Sequence, residues 1–369
     1  MRLHLLLLFG MALAAAAPAA AEIPIGFASP LSGPFAESGE RNRIAVEMAI
    51  EDLNERGGVL GQKVTVIAAD DACGMEQALD AARALVEAEV AVVVGHMCSH
   101  SSLLAAGIYE TADRLMISPF STHPRLTEEG RQNVFRLKGR DDDQGRLAGD
   151  FLADSFAGKR IAILHDGSTY GEGLAREARK QLRARGEMEI IYAMYTPAAE
   201  HYTDLLARLR QARIDVLYVG GYGPDAGLIL RTARERGDDF QLIGGDGLGM
   251  DGFWSVAGEF GEHTIFSERP DARARPDAAA ILERFRNHGL VHRTGGRGAY
   301  AAVQVWAQAV ERAGTFELAS VARTLRRARF DTVLGRLAFD RKGDLRGAAW
   351  QWQVWTDGDY IPLEQLATQ

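Results

Sequence analysis

The chain has 369 residues, 47% of them hydrophobic and 25% charged, with a formal net charge of −8. This is a globular composition, long enough for two lobes with sizeable cores. The acidic balance argues against nucleic acid or an anionic membrane surface as a partner.

The N-terminus reads as an export signal. Arg2 precedes the apolar run Leu5–Ala17, and Ala19-Ala20-Ala21 offers the small side chains of a cleavage site. The run is too short for a membrane span, so residues 1–21 are expected to be a signal peptide cleaved after Ala21, leaving a soluble, exported chain. No cysteine stands near that point to carry a lipid anchor, and no later segment is long and apolar enough to span a bilayer. Export also gives meaning to Cys73 and Cys98. An even count in an oxidising compartment favours a disulfide over two buried thiols.

Apolar runs then alternate with helical-period segments. Ile23–Ala28 precedes the helical stretch Arg41–Glu55, Val64–Ala69 precedes Gln77–Ala88, and Val90–Val94 precedes Leu103–Asp113, with Leu115–Ile117 next. The pattern resumes with Arg160–Leu164 before Gly173–Ala184, Ile190–Tyr195 before Thr203–Ala212, and Ile214–Val219 before Ala226–Glu235, ending at Phe240–Ile243. Strands and helices at this spacing mean βαβ units and parallel sheets. The break around Lys138–Gly145 predicts an α/β chain of two doubly wound parallel-sheet lobes. After Arg269 come helical segments at Ala278–Asn287, Ala299–Ala313 and Leu318–Ala328. Gly335–Asp340 and Ala349–Trp355, flanking the turn "RKGDLRG", are predicted to pair antiparallel.

Catalytic chemistry is poorly represented. Cys98 with His96, His100 or His123 has the residue types of a nucleophile and base, but a disulfide would remove the thiol. His96 and His100, like His288 and His292, have a metal-compatible spacing without an evident acidic third ligand, and read as ordinary surface histidines. No metal or cofactor is expected. "GGYGPDAG" has the wrong glycine spacing for a dinucleotide loop, and Pro224 suits a helix N1 position. "RDDDQG" reads as helix N-capping rather than a calcium loop.

A binding crevice is better represented. Ligands of doubly wound sheets sit beyond the carboxyl ends of the strands, near helix N-termini. Ser99, Ser101 and Ser102 follow Val90–Val94, and Ser118, Ser121 and Thr122 follow Leu115–Ile117, where hydroxyls and backbone N–H groups suit a carboxylate. In the second series, "GGDG" offers a lone Asp246 that suits a cation, or else caps the next helix. Donors on one lobe and an acceptor on the other suit a zwitterion.

The stretches "LSGPFAESGE", "DLNERGGVLGQKV", "DDACGMEQA", "GHMCSHSS", "IYETADRLMISPFST", "LKGRDDDQG", "HDGSTYGEGLA", "GGYGPDAGLILR", "GDGLGMDGFWSVAG" and "DTVLGRLAFDRKGDL" stand in an order that resembles the periplasmic leucine/isoleucine/valine-binding proteins of ABC importers. The likeness covers essentially the whole mature chain. It implies a type I periplasmic binding fold joined by a three-strand hinge, with residues 22–140 and 270–349 in lobe 1 and 141–269 and 350–369 in lobe 2. It implies a free amino acid as ligand and a membrane permease as partner, with the chain acting as a monomer. Ser99 and Thr122, with nearby backbone including Ser121, would hold the α-carboxylate. The Phe120 carbonyl and Asp246 would hold the α-ammonium, with Tyr170 and Tyr222 contributing from lobe 2. Cys73 and Cys98 match the family's disulfide. Two departures stand out: Ser38 lies where the family usually carries an aromatic, and Thr294–Tyr300 keeps only Tyr300 where several aromatics are usual. With Ser38, Gly295 and Gly298 as walls, the side-chain pocket should be wider and more polar, fitting an amino acid larger or more polar than leucine, or broad specificity. An amide or aromatic acid would fit the same fold but would leave Asp246 without a partner. A sensor subunit is a further role for this fold, whereas a secreted hydrolase would need Cys98 as a free thiol.

Overall fold

The computed structural model describes residues 22–270, 279–288, 290 and 296–366. Two sheets divide the strands. The first has five parallel strands, β1 (Ile23–Ser29), β2 (Val64–Asp70), β3 (Val92–Gly95), β4 (Leu115–Ser118) and β5 (Val134–Arg136), in the order β2-β1-β3-β4-β5. The second begins with β6 (Ile161–His165), β7 (Ile191–Met194), β8 (Val216–Gly220), β9 (Gln241–Gly244) and β10 (Ile265–Glu268). A separate hairpin holds β11 (Arg329–Thr332) and β12 (Gly335–Ala338). β13 (Gln351–Thr356) and β14 (Asp359–Pro362) complete the second sheet, ordered β14-β13-β10-β9-β8-β6-β7. β13 runs antiparallel to both β10 and β14, so this sheet is parallel except at one edge. The α/β fold with two doubly wound sheets is the one the sequence predicts.

The antiparallel pair predicted for Gly335–Asp340 and Ala349–Trp355 does not form. β12 pairs with β11, and β13 joins the other sheet. Alternating apolar residues mark each as a strand, but that period does not choose a partner.

Helices cover both faces of each sheet because each buries one apolar stripe. In the helix Ala36–Glu55 the stripe is Ala45, Val46, Ala49 and Ile50, packed in a core with Ile25, Phe27, Val303 and Trp306. That core combines residues from the first 137 positions with residues of the helix Arg297–Ala313 and the hairpin. The chain therefore passes between the two halves three times, after β5, after β10 and before β13. Gly39 lets the helix Ala36–Glu55 lie hard against the end of β1: a Cβ there would sit 1.7 Å from the Pro30 carbonyl oxygen. This contact fixes Ser38, Arg41 and Asn42 at the edge of the cleft described below.

The turn "RKGDLRG" anchors β5 instead of closing a hairpin. Asp344 in that turn accepts from Arg136 Nε at 2.6 Å and from Arg140 Nη1 at 3.1 Å. Arg136 is fully buried and also donates to the His123 carbonyl at 2.9 Å. Burial alone would raise the Asp344 carboxyl, but the Arg136 charge and hydrogen bonds from Thr127, Arg136 and Arg140 hold it below the usual carboxylate range. Its contribution to stability is present above the unfolded value of about 4. It is lost as pH falls through the lower folded value. Asp344→Ala should cost about 3–5 kcal/mol at neutral pH by leaving a buried guanidinium without its counter-charge. Urea unfolding at neutral and acid pH would show the deficit and its narrowing on acidification.

Candidate ligand-binding site

The ends of the strands build one cleft between the two halves. Ser99 begins the helix Ser99–Thr111 after β3, and Phe120 and Thr122 follow β4. From the other half, Tyr170 follows β6, Tyr222 follows β8 and Asp246 follows β9. All six line the same cleft, together with Ser38 and Gly298. It encloses about 1090 Å³ of empty space, its open mouth included. Phe35 packs on Tyr222 across it with ring centroids 4.9 Å apart, and Tyr222 packs on Tyr170 at 5.1 Å.

Other expected residues take different places. The Ser121 hydroxyl is buried away from the cleft, 2.6 Å from Ser102 Oγ and 3.2 Å from the Met97 carbonyl oxygen to which it donates. Ser101 and Ser102 are also fully buried, so Ser99 alone of the three serines after β3 faces the cleft. The helix begins at Ser99, four residues before the predicted start, because its first turn is polar and carries no apolar period. Gly295 lies outside the described residues, as does His292.

The nucleophile reading of Cys98 is removed by its disulfide to Cys73, with Cα atoms 5.6 Å apart. His96 is not a surface histidine but fully buried. Its Nδ1 lies 2.6 Å from Asp71 Oδ2 and its Nε2 lies 3.0 Å from the Tyr109 hydroxyl. Asp71 also accepts from the Cys73 backbone N–H at 3.0 Å. This network and the disulfide together brace the loop that presents Ser99. His123 is buried, and that burial, with Arg125, Arg176 and Arg136 adding to it, pushes its imidazole down to about 4.

Asp246 does not cap the helix that follows it, nor does it stand alone. Its Oδ1 accepts from the Tyr170 hydroxyl at 2.9 Å and from Gln144 Nε2 at 3.2 Å. Tyr170 is satisfied on its other side by the Gly247 N–H at 2.9 Å. Asp246 Oδ2 lies 3.1 Å from Lys138 Nζ, which also lies 2.5 Å from Glu268 Oε1. A ligand without an ammonium would therefore not strip Asp246 of its partners, contrary to expectation. Burial alone would lower the Lys138 ammonium, but Glu268 and Asp246 more than offset this and keep it charged. Burial raises the Glu268 carboxyl, with Asp246 adding to the rise and Lys138 opposing it. Two carboxylates face one ammonium, and Glu268 Oε2 is buried with no hydrogen-bond partner among the described residues. The Arg269 guanidinium also acts on Glu268 from the crossing.

Lys138, Glu268, Arg269 and Arg297 line the cleft and were not among the expected site residues. The first three lie where the chain crosses between halves, and Arg297 stood in view within "TGGRGAY". Behind the cleft Asp141 begins the helix Asp141–Ser155, but its carboxylate does not cap that helix. It is fully buried, and its backbone N–H donates to the Thr122 carbonyl at 3.0 Å.

A sequence profile described as periplasmic binding protein matches residues 22–358. The chain belongs to the periplasmic binding protein family. The Leu/Ile/Val-binding protein homolog 1 of Brucella suis is 36% identical over 349 residues, 94% of either chain. The leucine-binding protein LivK of Thermotoga maritima superposes with a TM-score of 0.85 at 25% identity, covering 92% of this chain and 97% of that one. An ABC transporter substrate-binding protein of Desulfitobacterium hafniense, solved in complex with leucine, is 28% identical with a TM-score of 0.76, covering 93% and 100%. The fold of this binding protein is that of the type I periplasmic binding proteins.

Burial and the Asp246 charge push the Asp141 carboxyl of this binding protein well above the usual range. The folded state thus holds a proton that the unfolded chain releases above about pH 4. The associated stability is complete below that pH and declines as pH rises toward the folded value. Asp141→Asn should raise neutral-pH stability by about 1–2 kcal/mol, with the gain vanishing near pH 4. Thermal unfolding at the two pH values measures it.

Proposed function

We propose that this periplasmic binding protein is the substrate-binding component of an ABC importer and captures a free amino acid between its halves. The carrying observation is the polarity of the cleft. Hydroxyl and amide donors at Ser99 and Thr122 stand on one half, and the Asp246–Glu268 pair, with one carboxylate in excess over Lys138, stands on the other. An α-carboxylate fits the first and an α-ammonium the second, with the Phe120 carbonyl as a further acceptor. Such a ligand touches both halves only when they are close, so its binding energy shifts an open–closed equilibrium.

The role is capture without catalysis. Lobe 1 comprises residues 22–140 and 270–349, and lobe 2 comprises 141–269 and 350–369, with hinges at the three crossings. The mature chain starts after Ala21, works in the periplasm as a monomer, and delivers its ligand to a membrane permease. The family match from residue 22 onward and the Lys63–Glu22 ion pair at 3.2 Å support that start.

One observation favours a second reading. Because Lys138 already partners Asp246, a carboxylic acid or amide lacking an ammonium could occupy the cleft with Asp246 still paired.

Asp246→Asn separates the two readings. It leaves the Lys138–Glu268 pair in place and removes the excess carboxylate. Calorimetric titration of protein stripped of carried ligand should show amino-acid binding weakened by about 2–5 kcal/mol. Undiminished binding in the variant would overturn the ammonium assignment.

A further inference from the structure

A ring outside the cleft lies against the charge cluster inside it. Trp350 stands just before β13, at the third crossing, half-buried and outside the cleft lining. Its indole Nε1 donates to the Arg140 carbonyl of the first crossing at 3.2 Å. Gly139 makes room for the ring: a Cβ there would sit 2.6 Å from Trp350 Cε2 and Nε1. The ring therefore lies directly on the backbone of the first crossing. The Lys138 ammonium stands 5.5 Å from the centre of the same ring. The second crossing meets this segment too, where Arg269 Nη1 donates to the Leu137 carbonyl at 3.0 Å. Leu137–Arg140 is thus held from both other crossings, and from it the Lys138 side chain reaches Asp246 and Glu268.

An ammonium within about 6 Å of an indole centroid is attracted by the electron-rich face of the ring, and the attraction strengthens as water is removed. The Lys138 side chain is 14% exposed, so water contributes little to holding its charge. That charge is divided among three neighbours: Glu268 Oε1 at 2.5 Å, Asp246 Oδ2 at 3.1 Å and the Trp350 ring. Glu268 and Trp350 belong to the crossings, as Lys138 does. Asp246 belongs to the second half, and it is the carboxylate that an incoming α-ammonium would claim. A lysine held only by the two carboxylates competes with that ammonium for Asp246. A lysine held also by a ring gives up its share of Asp246 at lower cost, because Glu268 and the ring still answer its charge.

From this juxtaposition we infer that Trp350 is a positioning residue for ligand capture: its ring holds Lys138 beside Glu268 and so frees Asp246 for the ligand's ammonium. The inference rests on the amino-acid reading above and adds a residue that acts through Lys138 without lining the cleft.

Full-length exported protein, unfolded and refolded to remove carried ligand, is titrated calorimetrically with leucine, phenylalanine, glutamine and glutamate. Trp350→Leu removes the ring, and Trp350→Phe keeps one. For whichever of these amino acids binds the unaltered protein, Trp350→Leu should weaken binding about tenfold and Trp350→Phe by less than about threefold. A background of Lys138→Met with Glu268→Gln removes the ammonium together with one counter-charge. There Trp350→Leu should change the affinity by less than about twofold. The shape of each titration gives the affinity and its stoichiometry gives the folded fraction, so a partial loss of folded protein does not imitate the effect. The comparison of the two single variants stands apart from the altered background. Trp350→Phe as damaging as Trp350→Leu would overturn the role of the ring face. A tenfold loss that persists in the altered background would overturn action through Lys138. Undiminished binding by Trp350→Leu would overturn the inference while leaving amino-acid capture intact. No binding of any of the four amino acids by the unaltered protein would overturn both proposals.

Discussion

The contact on which the site depends is the Lys138 ammonium held between Asp246 and Glu268. Lys138 stands just after β5, where the chain first leaves the first sheet, and Glu268 ends β10, where it returns. Asp246 belongs to the second half. Ion pairs removed from water gain stability only with good geometry and satisfied neighbours. Here Tyr170 and Gln144 supply two of those neighbours, and one Glu268 oxygen remains without a protein partner among the described residues. Two of the three charges therefore sit at the crossings, and all three define one end of the cleft. In the proposed capture, ligand charge and the relative placement of the halves would act on a shared cluster.

The first half achieves precision differently. Ser99 opens a helix, and the loop that leads into it has three braces. The Cys73–Cys98 bond closes a 25-residue separation, Asp71 holds both His96 and the Cys73 amide, and the Tyr109 hydroxyl meets the other side of His96. The histidine and cysteine that look catalytic in sequence serve to hold the serine. One half thus offers neutral donors on a rigid frame, and the other offers charges at a hinge. In the proposed capture, closure would bring the two kinds of group onto one ligand.

Much of this architecture is legible in the sequence. The alternation of β-branched runs with amphipathic stretches is imposed by strands buried on both faces and helices buried on one. Ser99, Thr122 and Asp246 are recoverable because each follows directly after such a run, and chain order places the end of a parallel strand at a crevice. Lys138, Glu268 and Arg269 are not recoverable in this way. They lie between series, where no periodic pattern constrains position, and their meaning comes from partners 108 to 132 residues distant in the chain. Ser121 shows the opposite failure. Adjacent residues after a strand point to different sides, so proximity to Thr122 in sequence did not place its hydroxyl on the same surface. Strand pairing at the C-terminal end was likewise underdetermined, since the pattern of β13 fits either sheet.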